Sequence, residues 1–325
     1  MNKNVLVTGG AGYIGSQACK ELKNNGFNPV TFDNLSTGHR EFVKWGPFVE
    51  GDLLNQSDIE LAIDKYDIQL VMHFAAKAYV NESVENPIKY YRENIQGSLN
   101  LFEMFVKKNG KAIVFSSSCA TYGQVKIDLV REDTHQSPIN PYGFTKLAVE
   151  RLLLDLAHIH KFNFSILRYF NAAGADSDLE IGEMHERETH VVPLLINAAL
   201  KNEVFKVYGN DYETPDGTAV RDYVHVEDIA SAHLRALQIM ISDKQNIICN
   251  LGTGNGTSVL QLVNQIREWK KDFQYEFGPR REGDPHSLIA ANQLSRNLLQ
   301  MDYKKSRLEL ILKSAILWYE KCSSN

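Results

Sequence analysis

The chain has 325 residues, 43% of them hydrophobic and 23% charged, and a net charge of −5. That length allows a large core and one large or two small domains, and the composition is ordinary for a soluble globular protein. The charge is spread without a basic block, which excludes a nucleic-acid footprint, and no apolar run approaches the roughly 20 residues that a bilayer-spanning helix needs.

The first element is Val5-Leu6-Val7, a short apolar run that reads as a buried parallel strand. Gly9-Gly10-Ala11-Gly12-Tyr13-Ile14-Gly15 follows, then a helical stretch to Asn25 closed by Gly26. Gly10, Gly12 and Gly15 satisfy GxGxxG between a strand and a helix, the context in which that motif binds a dinucleotide. The first glycines permit a tight turn and close backbone approach to a pyrophosphate. The last lets helix and strand pack, with the helix N-terminus facing the phosphates. A second strand, Pro29-Val30-Thr31-Phe32, ends in Asp33. A carboxylate about 20 residues past the glycines suits a ribose 2′-hydroxyl and repels a 2′-phosphate, which predicts NAD rather than NADP.

The strand–helix rhythm continues. Phe48-Val49-Glu50-Gly51-Asp52 reads as a third strand, and Ser57-Asp58-Ile59-Glu60 as a capping box that opens the next helix. Leu70-Val71-Met72-His73-Phe74 reads as a fourth strand, followed by Ala75-Ala76, where small residues allow a ligand to approach. Asn86-Pro87 starts a long predicted helix running to about Lys108. Asn94 lies inside it, where an amide is a poor helix former and is often kept for a side-chain contact. Ala112-Ile113-Val114-Phe115 is a fifth strand, ending in Ser116-Ser117-Ser118, and a long loop then runs to Asn140. This alternation predicts an α/β fold, a Rossmann-type doubly wound parallel sheet whose ligands bind beyond the carboxyl ends of its strands.

Asn140 can cap a helix and Pro141 fits its first turn, so Tyr142 opens that helix and Lys146 follows one turn later on the same face. An amphipathic helix with one exposed tyrosine and one exposed lysine would show the same spacing. A cation beside the phenol favours phenolate and is expected to pull the tyrosine below its free value of roughly 10, making a general base for a hydroxyl proton. Strand-end serine, tyrosine and lysine thus converge on one edge of the sheet. The sheet continues in Asn163–Phe170, after which the units become shorter and less regular. The expected division is a NAD-binding domain over 1–170, with returns near 222–251, and a smaller, interleaved C-terminal α/β domain over 171–325 that binds substrate.

Taken in order, several strings resemble the extended short-chain dehydrogenase/reductases nearly end to end, and among these the 4-epimerases of nucleotide sugars. They are the glycine turn, Ser118 with Tyr142-xxx-Lys146, Arg168-Tyr169-Phe170-Asn171, Tyr208-Gly209-Asn210-Asp211-Tyr212, Arg221-Asp222-Tyr223 and Arg280-Arg281-Glu282-Gly283-Asp284. The resemblance implies NAD retained through the cycle and a UDP-sugar substrate. Gly9, Gly12, Tyr13, Ile14 and Gly15 would sit at the pyrophosphate; Asp33, Asn34 and Leu35 would hold the adenosine ribose; Asp52 and Leu53 would flank the adenine. Phe74, Ala75, Ala76 and Asn94 would complete the cofactor wall, with Lys146 on the nicotinamide ribose and Phe170 nearby. Asn171, His190, Tyr208, Arg221, Arg281 and Asp284 would hold the phosphates and uridine, and Leu288 would line the far side of the sugar. Arginine suits a diphosphate because its planar fork bonds bidentately. The implied reaction interconverts UDP-glucose and UDP-galactose through a 4-keto sugar, with Tyr142 as base, Ser118 as proton relay and Lys146 tuning Tyr142 and binding the NAD ribose.

Departures from related patterns narrow this reading. Nucleotide-sugar 4,6-dehydratases carry Asp-Glu just after the strand-end hydroxyl, and the related decarboxylases a glutamate; here Cys119-Ala120 stands there, so neither reaction is expected. His190 replaces an asparagine that the epimerases often place against the diphosphate. Ala75-Ala76-Lys77-Ala78 shifts the usual lysine by one residue, so Lys77 receives no role. At position 288 a tyrosine resembles enzymes restricted to glucose and galactose, and a small residue those that accept N-acetylated sugars. Leucine is intermediate in bulk and leaves UDP-GlcNAc/GalNAc or UDP-xylose/arabinose open. A non-catalytic NAD-binding regulator is a further alternative, but it would not need the intact Ser118, Tyr142 and Lys146.

No metal is expected. Cys19, Cys119, Cys249 and Cys322 are scattered without a CxxC pair. Cys119, beside Ser118, reads as a small packing residue rather than a reactive thiol, and His158 and His160 as helix-surface residues. His185-Glu186-Arg187-Glu188-Thr189-His190 resembles a zinc HExxH with one residue too many, which on a helix would turn the second histidine about 140° from the first. The run after Asn4 leaves no room for a signal peptide, so a cytoplasmic location is expected. The resemblance also implies a homodimer through helices near 87–108 and 142–160. Sedimentation equilibrium should give twice the chain mass of 36.8 kDa; a monomer would refute the dimer.

Overall fold

The computed structural model describes residues 3–125, 127–186, 188–281 and 285–324. Six strands, β1 (Asn4–Thr8), β2 (Asn28–Asp33), β3 (Phe48–Glu50), β4 (Leu70–His73), β5 (Ala112–Ser118) and β6 (Asn163–Tyr169), are joined in one sheet by a seventh, Ile247–Leu251. From that seventh strand the order runs β6, β5, β4, β1, β2, β3. All five pairs among β1–β6 are parallel. The chain steps outward from β1 to β3, then restarts at β4 on the other side of β1. This reversal is the doubly wound arrangement expected, and the crevice it leaves beyond the strand ends is where such sheets bind ligands. Leu6, Val30, Val71, Ile113 and Ile166 are fully or almost fully buried, as parallel strands covered on both faces require.

The helices that follow these strands obey local rules, though not always those anticipated. The first, α1 (Tyr13–Asn24), ends at Asn25 and Gly26. The second, α2 (Gln56–Tyr66), is capped by Asn55, whose side chain accepts from Ser57 N. Ser57 is therefore inside the helix and the expected capping box does not form; Asp58 instead accepts from Asn55 Nδ2 and from Asp52 N. Asn55 takes the cap because it stands just before the first helical residue, Gln56, where its side-chain oxygen reaches a free amide of the first turn.

The single helix expected over 87–108 is instead three joined segments. Pro87–Tyr90 is α-helical, Tyr91–Gln96 is a π-helical turn, and Gly97–Lys107 is α-helical again. A further helix, Val80–Glu85, precedes them. Such π turns mark inserted residues and often sit at functional sites. Here the turn carries Asn94, which is 2% exposed and fully engaged. Its Oδ1 accepts from Lys77 N at 2.8 Å, and its Nδ2 donates to Lys77 O at 3.0 Å and to Thr145 Oγ1 at 3.0 Å. Asn94 thereby ties the loop after β4 to the long helix Pro141–His160.

The chain forms two compact units, one of Met1–Gly123, His135–Tyr169 and Ala230–Cys249, the other of Gln124–Thr134, Phe170–Ile229 and Asn250–Asn325. The first holds an apolar core that includes Leu6, Phe102, Phe105, Ile113 and Leu153. The second packs helices Val191–Lys201, Val259–Trp269 and Leu308–Ser323 around Leu195, Val207, Leu262 and Leu312. Its sheets are small. Val220–Arg221 lies between Thr257–Ser258 and Ser287–Leu288, while Tyr223–His225 pairs with Asn171–Ala173 and Tyr275–Gly278 with Phe205–Tyr208. No helix among the described residues is long and apolar enough to cross a membrane.

Replacing Asn94 by alanine leaves the Lys77 backbone groups and the buried Thr145 hydroxyl short of partners, at a cost of about 2 kcal/mol. Differential scanning calorimetry of Asn94→Ala should show Tm lowered by several degrees; an unchanged Tm would show the tie to be dispensable.

Candidate active site

The glycine turn after β1 is packed by backbone alone. Gly9 has φ +71°, and a Cβ there would lie 2.6 Å from Ala75 N. A Cβ on Gly15 would lie 2.1 Å from Gly9 O, so neither position accepts a side chain. Gly12 at the N-cap of α1 brings no capping group, and the first turn carries no acidic residue, which suits an anionic ligand such as a phosphate. Ala75 N and Phe74 N both donate to Thr8 O at 3.0 Å, bringing the loop after β4 against the turn. The phenyl ring of Phe74 lies 4.7 Å from the His233 ring.

At the end of β2, Asp33 is 8% exposed and accepts from Ala11 N at 3.0 Å and Leu35 N at 2.9 Å. Burial pushes its carboxyl above the ordinary range, and these backbone bonds oppose that push. Leu35 takes φ +56°, a left-handed conformation unusual for a branched side chain. Asn34 Nδ2 donates to Asp52 Oδ2 at 3.0 Å, and Asp52 Oδ1 accepts from Leu54 N at 2.8 Å. Leu53 is buried beside them. Gly9, Gly12, Tyr13, Ile14, Gly15, Asp33, Asn34, Leu35, Asp52 and Leu53 thus all lie at the carboxyl ends of β1–β3 or the first turn of α1. Sequence reasoning gave Lys77 no part, yet its Nζ donates to Ser36 Oγ at 2.7 Å across this edge.

Ser118, Tyr142 and Lys146 converge as expected and are all buried. The Asn140 side chain accepts from Gly143 N at 2.8 Å and sets the start of the helix. Ser118 Oγ accepts from Ala120 N at 3.1 Å, and its hydroxyl favours the ionised form of the Tyr142 phenol. Lys146 Nζ donates to Ser116 O at 2.8 Å and lies 5.1 Å from the Phe115 ring centroid and 5.9 Å from that of Tyr142. The expected lowering of the Tyr142 pKa is not what these surroundings produce. Burial pushes the phenol up, Tyr169 adds to the push, and Ser118 opposes it. The same burial brings Lys146 down to about 7, against the pull of Glu150. At each group desolvation of the charged form outweighs what opposes it, Ser118 at Tyr142 and Glu150 at Lys146. Cys119 is buried, as a packing residue should be.

Sequence reasoning missed His73. Its Nδ1 lies 2.7 Å from Thr8 Oγ1 and its Nε2 2.9 Å from Ser98 Oγ, inside the sheet. Burial first, and Lys146 second, hold its pKa near 3, so it is neutral. Only its place at the end of a strand marked it in the sequence.

The second unit carries the residues expected at the substrate. Arg221 donates to Val220 O and Pro285 O, each at 2.7 Å, and Leu288 is paired with it in register. Arg281 lies over the Tyr208 ring at 4.4 Å. Asn171 N donates to Asp222 O at 2.9 Å, and Phe170 N to Leu251 O at 3.1 Å. Asp284 lies outside the described residues.

His158 and His160 are exposed on their helix. His185 and His190 are not on a helix at all, so the 140° separation does not apply. The chain before Val191 is irregular and brings both rings to a centroid distance of 5.5 Å. One ligand-type atom from each of Glu183, His185, Glu188 and His190 falls within 4.8 Å of the others. His190 Nδ1 is hydrogen-bonded to Glu183 Oε1, and His185 Nδ1 lies 3.4 Å from the same oxygen and 3.3 Å from Glu188 Oε2. Burial lowers the His190 pKa, but the two glutamates outweigh it and hold the imidazole up at about 9.

A family model described as the NAD dependent epimerase/dehydratase family matches residues 5–252. The chain belongs to this family. It is 46% identical to a UDP-glucose 4-epimerase of Rhizobium leguminosarum bv. trifolii, covering 99% of each chain. The crystal structure of UDP-glucose 4-epimerase from Brucella ovis in complex with NAD superposes with a TM-score of 0.93 at 46% identity, over 97% of this chain and 98% of that one. The UDP-Glc/GlcNAc 4-epimerase of Campylobacter jejuni gives a TM-score of 0.86 at 36% identity, over 98% of this chain and all of that one. Family membership accords with the doubly wound sheet and with the cofactor class that the glycine turn and Asp33 predict.

His73 makes stability depend on pH with a definite sign. Folded, it stays neutral down to about 3; unfolded, it takes a proton below about 6.5. The unfolded state therefore binds the extra proton between those values, and the stabilisation present above 6.5 is lost as pH falls toward 3. Tm should drop between pH 7 and pH 5, and the drop should be shallower in His73→Gln. Equal drops in the two proteins would refute this account.

Proposed function

We propose that the protein is a NAD-dependent 4-epimerase that interconverts UDP-glucose and UDP-galactose through a transient 4-keto sugar. The observation that carries this reading is the gathering of Ser118, Tyr142 and Lys146 at the carboxyl edge of the sheet that also bears the glycine turn. The side-chain-free turn at Gly9 and Gly15, the uncapped start of α1 and the carboxylate of Asp33 fit a dinucleotide. Gly9, Gly12, Tyr13, Ile14 and Gly15 would hold its pyrophosphate, Asp33, Asn34 and Leu35 its adenosine ribose, and Asp52 and Leu53 its adenine. Phe74, Ala75, Ala76 and Phe170 would wall the remainder, and Asn94 would support that wall through Lys77. NAD, when bound, supplies a reversible hydride acceptor that carries a positive charge.

Tyr142 then takes the proton of the sugar 4-hydroxyl, Ser118 orients that hydroxyl and relays the proton, and Lys146 balances the phenolate and binds the nicotinamide ribose. The 4-keto sugar turns about its diphosphate linkage, and Tyr142 returns the proton once the opposite face has been reduced. Asn171, His190, Tyr208, Arg221, Arg281 and Asp284 would keep hold of the nucleotide while the sugar turns, so that remote binding energy stabilises the reacting state. Of these, His190 suits a diphosphate because its glutamate neighbours favour the imidazolium.

A second reading stays open at the sugar. Leu288 is buried in register with Arg221, and its bulk neither demands nor forbids an N-acetyl group or a pentose. A homodimer is supported by apolar side chains exposed on the first unit: Ile88, Tyr91 and Leu99 on the 87–107 segment, and Phe144 on the long helix, where Phe144 meets the Tyr91 ring edge-on. A cytoplasmic location completes the proposal.

Purified protein should convert UDP-galactose to UDP-glucose with no NAD added, and Tyr142→Phe should lower the rate by about 100-fold or more. No product, even after NAD is supplied, would discard glucose/galactose epimerisation in favour of N-acetylated or pentose substrates.

A further inference from the structure

Tyr142, Lys146 and Glu150 stand at i, i+4 and i+8 on one face of the Pro141–His160 helix. The reaction above uses the first two and leaves Glu150 without a task, although it is 1% exposed. Its carboxylate is saturated. Oε1 accepts from Ser117 Oγ and, at 2.9 Å, from Arg168 Nε. Oε2 accepts from Arg168 Nη2 at 2.7 Å and from Gln136 Nε2 at 3.0 Å. Arg168, 4% exposed, is held from its other side by Nη1 donating to the Tyr122 hydroxyl at 2.8 Å. An ion pair this deep adds little net stability, because desolvation consumes most of the Coulomb gain. Its presence calls for another reason.

We propose that Glu150, fixed by Arg168, is a positioning residue for the reaction, acting on the substrate only through Lys146. This rests on the epimerase reading of the site. Four donors leave Glu150 no lone pair for a direct bond to the ammonium, so it acts as a fixed negative field. The other titratable groups around Lys146 supply no such field. Tyr142 on the same helix is protonated, His73 on β4 is neutral, and Tyr169 on β6 is kept protonated by burial. Cys119 follows β5 as a buried thiol, and Arg168, paired with Glu150, is a cation and has the wrong sign to hold an ammonium. Glu150 is the carboxylate that opposes burial and keeps Lys146 available as an ammonium. Arg168 holds that carboxylate in place through two hydrogen bonds.

The titration of Lys146 tests this without recourse to activity. In protein labelled with ¹³Cε-lysine, its NMR signal can be assigned by its loss in Lys146→Met. Glu150→Gln keeps the shape and removes the charge, and it should move the Lys146 midpoint down by about one pH unit or more. The alkaline limb of kcat for UDP-galactose should move down with it while KM changes little, and Glu150→Asp should restore most of both. Because Glu150→Gln strands the buried Arg168 charge, the protein can fail to fold. Glu150→Gln/Arg168→Met removes both charges, a replacement that buried pairs usually tolerate, and it should still move the midpoint down, by less than Glu150→Gln because a nearby cation goes too. An unmoved midpoint in either folded variant overturns the proposal and leaves the pair a purely structural one. Absence of epimerase activity in the wild type would discard the proposed function, yet the lysine titration would still decide the role of Glu150.

Discussion

Lys146 carries an ammonium into a place that water hardly reaches, and much of the first unit makes that arrangement tolerable. One of its protons goes to the Ser116 carbonyl, and the face of Phe115 lies beneath it. Both contacts need β5 to run alongside the long helix in one register. That register is set at the helix start, where Asn140 and Pro141 decide which residue begins the first turn. A start one residue later would turn Lys146 about 100° around the helix axis, away from the sheet. Asn94 then fixes the same helix from the side through Thr145. Cap, strand and bracket are separate devices that locate a single nitrogen.

The electrostatic consequence is that burial favours the uncharged forms of both Tyr142 and Lys146, whereas proton abstraction uses both charged forms. Counting the cation beside the tyrosine, as the spacing invites, gives the wrong direction for the phenol because it omits the water that folding removes. At both buried groups desolvation is the largest cause of the shift. Charge elsewhere in the fold, or arriving with a ligand, must then tip the balance. A resting site that holds few charges is also one that the apolar sheet can enclose.

Much of this was legible in the chain. The apolar runs of β1–β6, the glycine turn, Asp33 and the Asn140-Pro141 cap are local patterns, each set by neighbours within a few residues. The features that were not legible depend on distant partners. Asn55 rather than Ser57 caps α2, a competition between two capping residues two positions apart that spacing cannot decide. The π turn at Tyr91–Gln96 spans only six residues, too few for apolar periodicity to reveal the change of register. His185 and His190 meet because their segment is irregular, whereas the argument that separated them assumed a helix. Glu150 sat one turn past Lys146 in plain view, but its partner Arg168 comes from the next strand, and only the fold joins them.

The sheet that bears the glycine turn takes one edge strand from Ile247–Leu251, and residues 230–249 complete the first unit. During synthesis, β1–β6 therefore leave the ribosome long before their last neighbour exists. Until it arrives, β6 presents an unpaired edge, the kind of surface that recruits stray strands. The nascent chain must hold this intermediate while the segment Phe170–Ile229 of the second unit is made, so neither unit can finish independently of the other. Interleaving thus ties completion of the first unit to synthesis of most of the chain. A truncation that spares every residue around the glycine turn, Ser118, Tyr142 and Lys146 but stops before Ile247 would still leave that sheet open on one side.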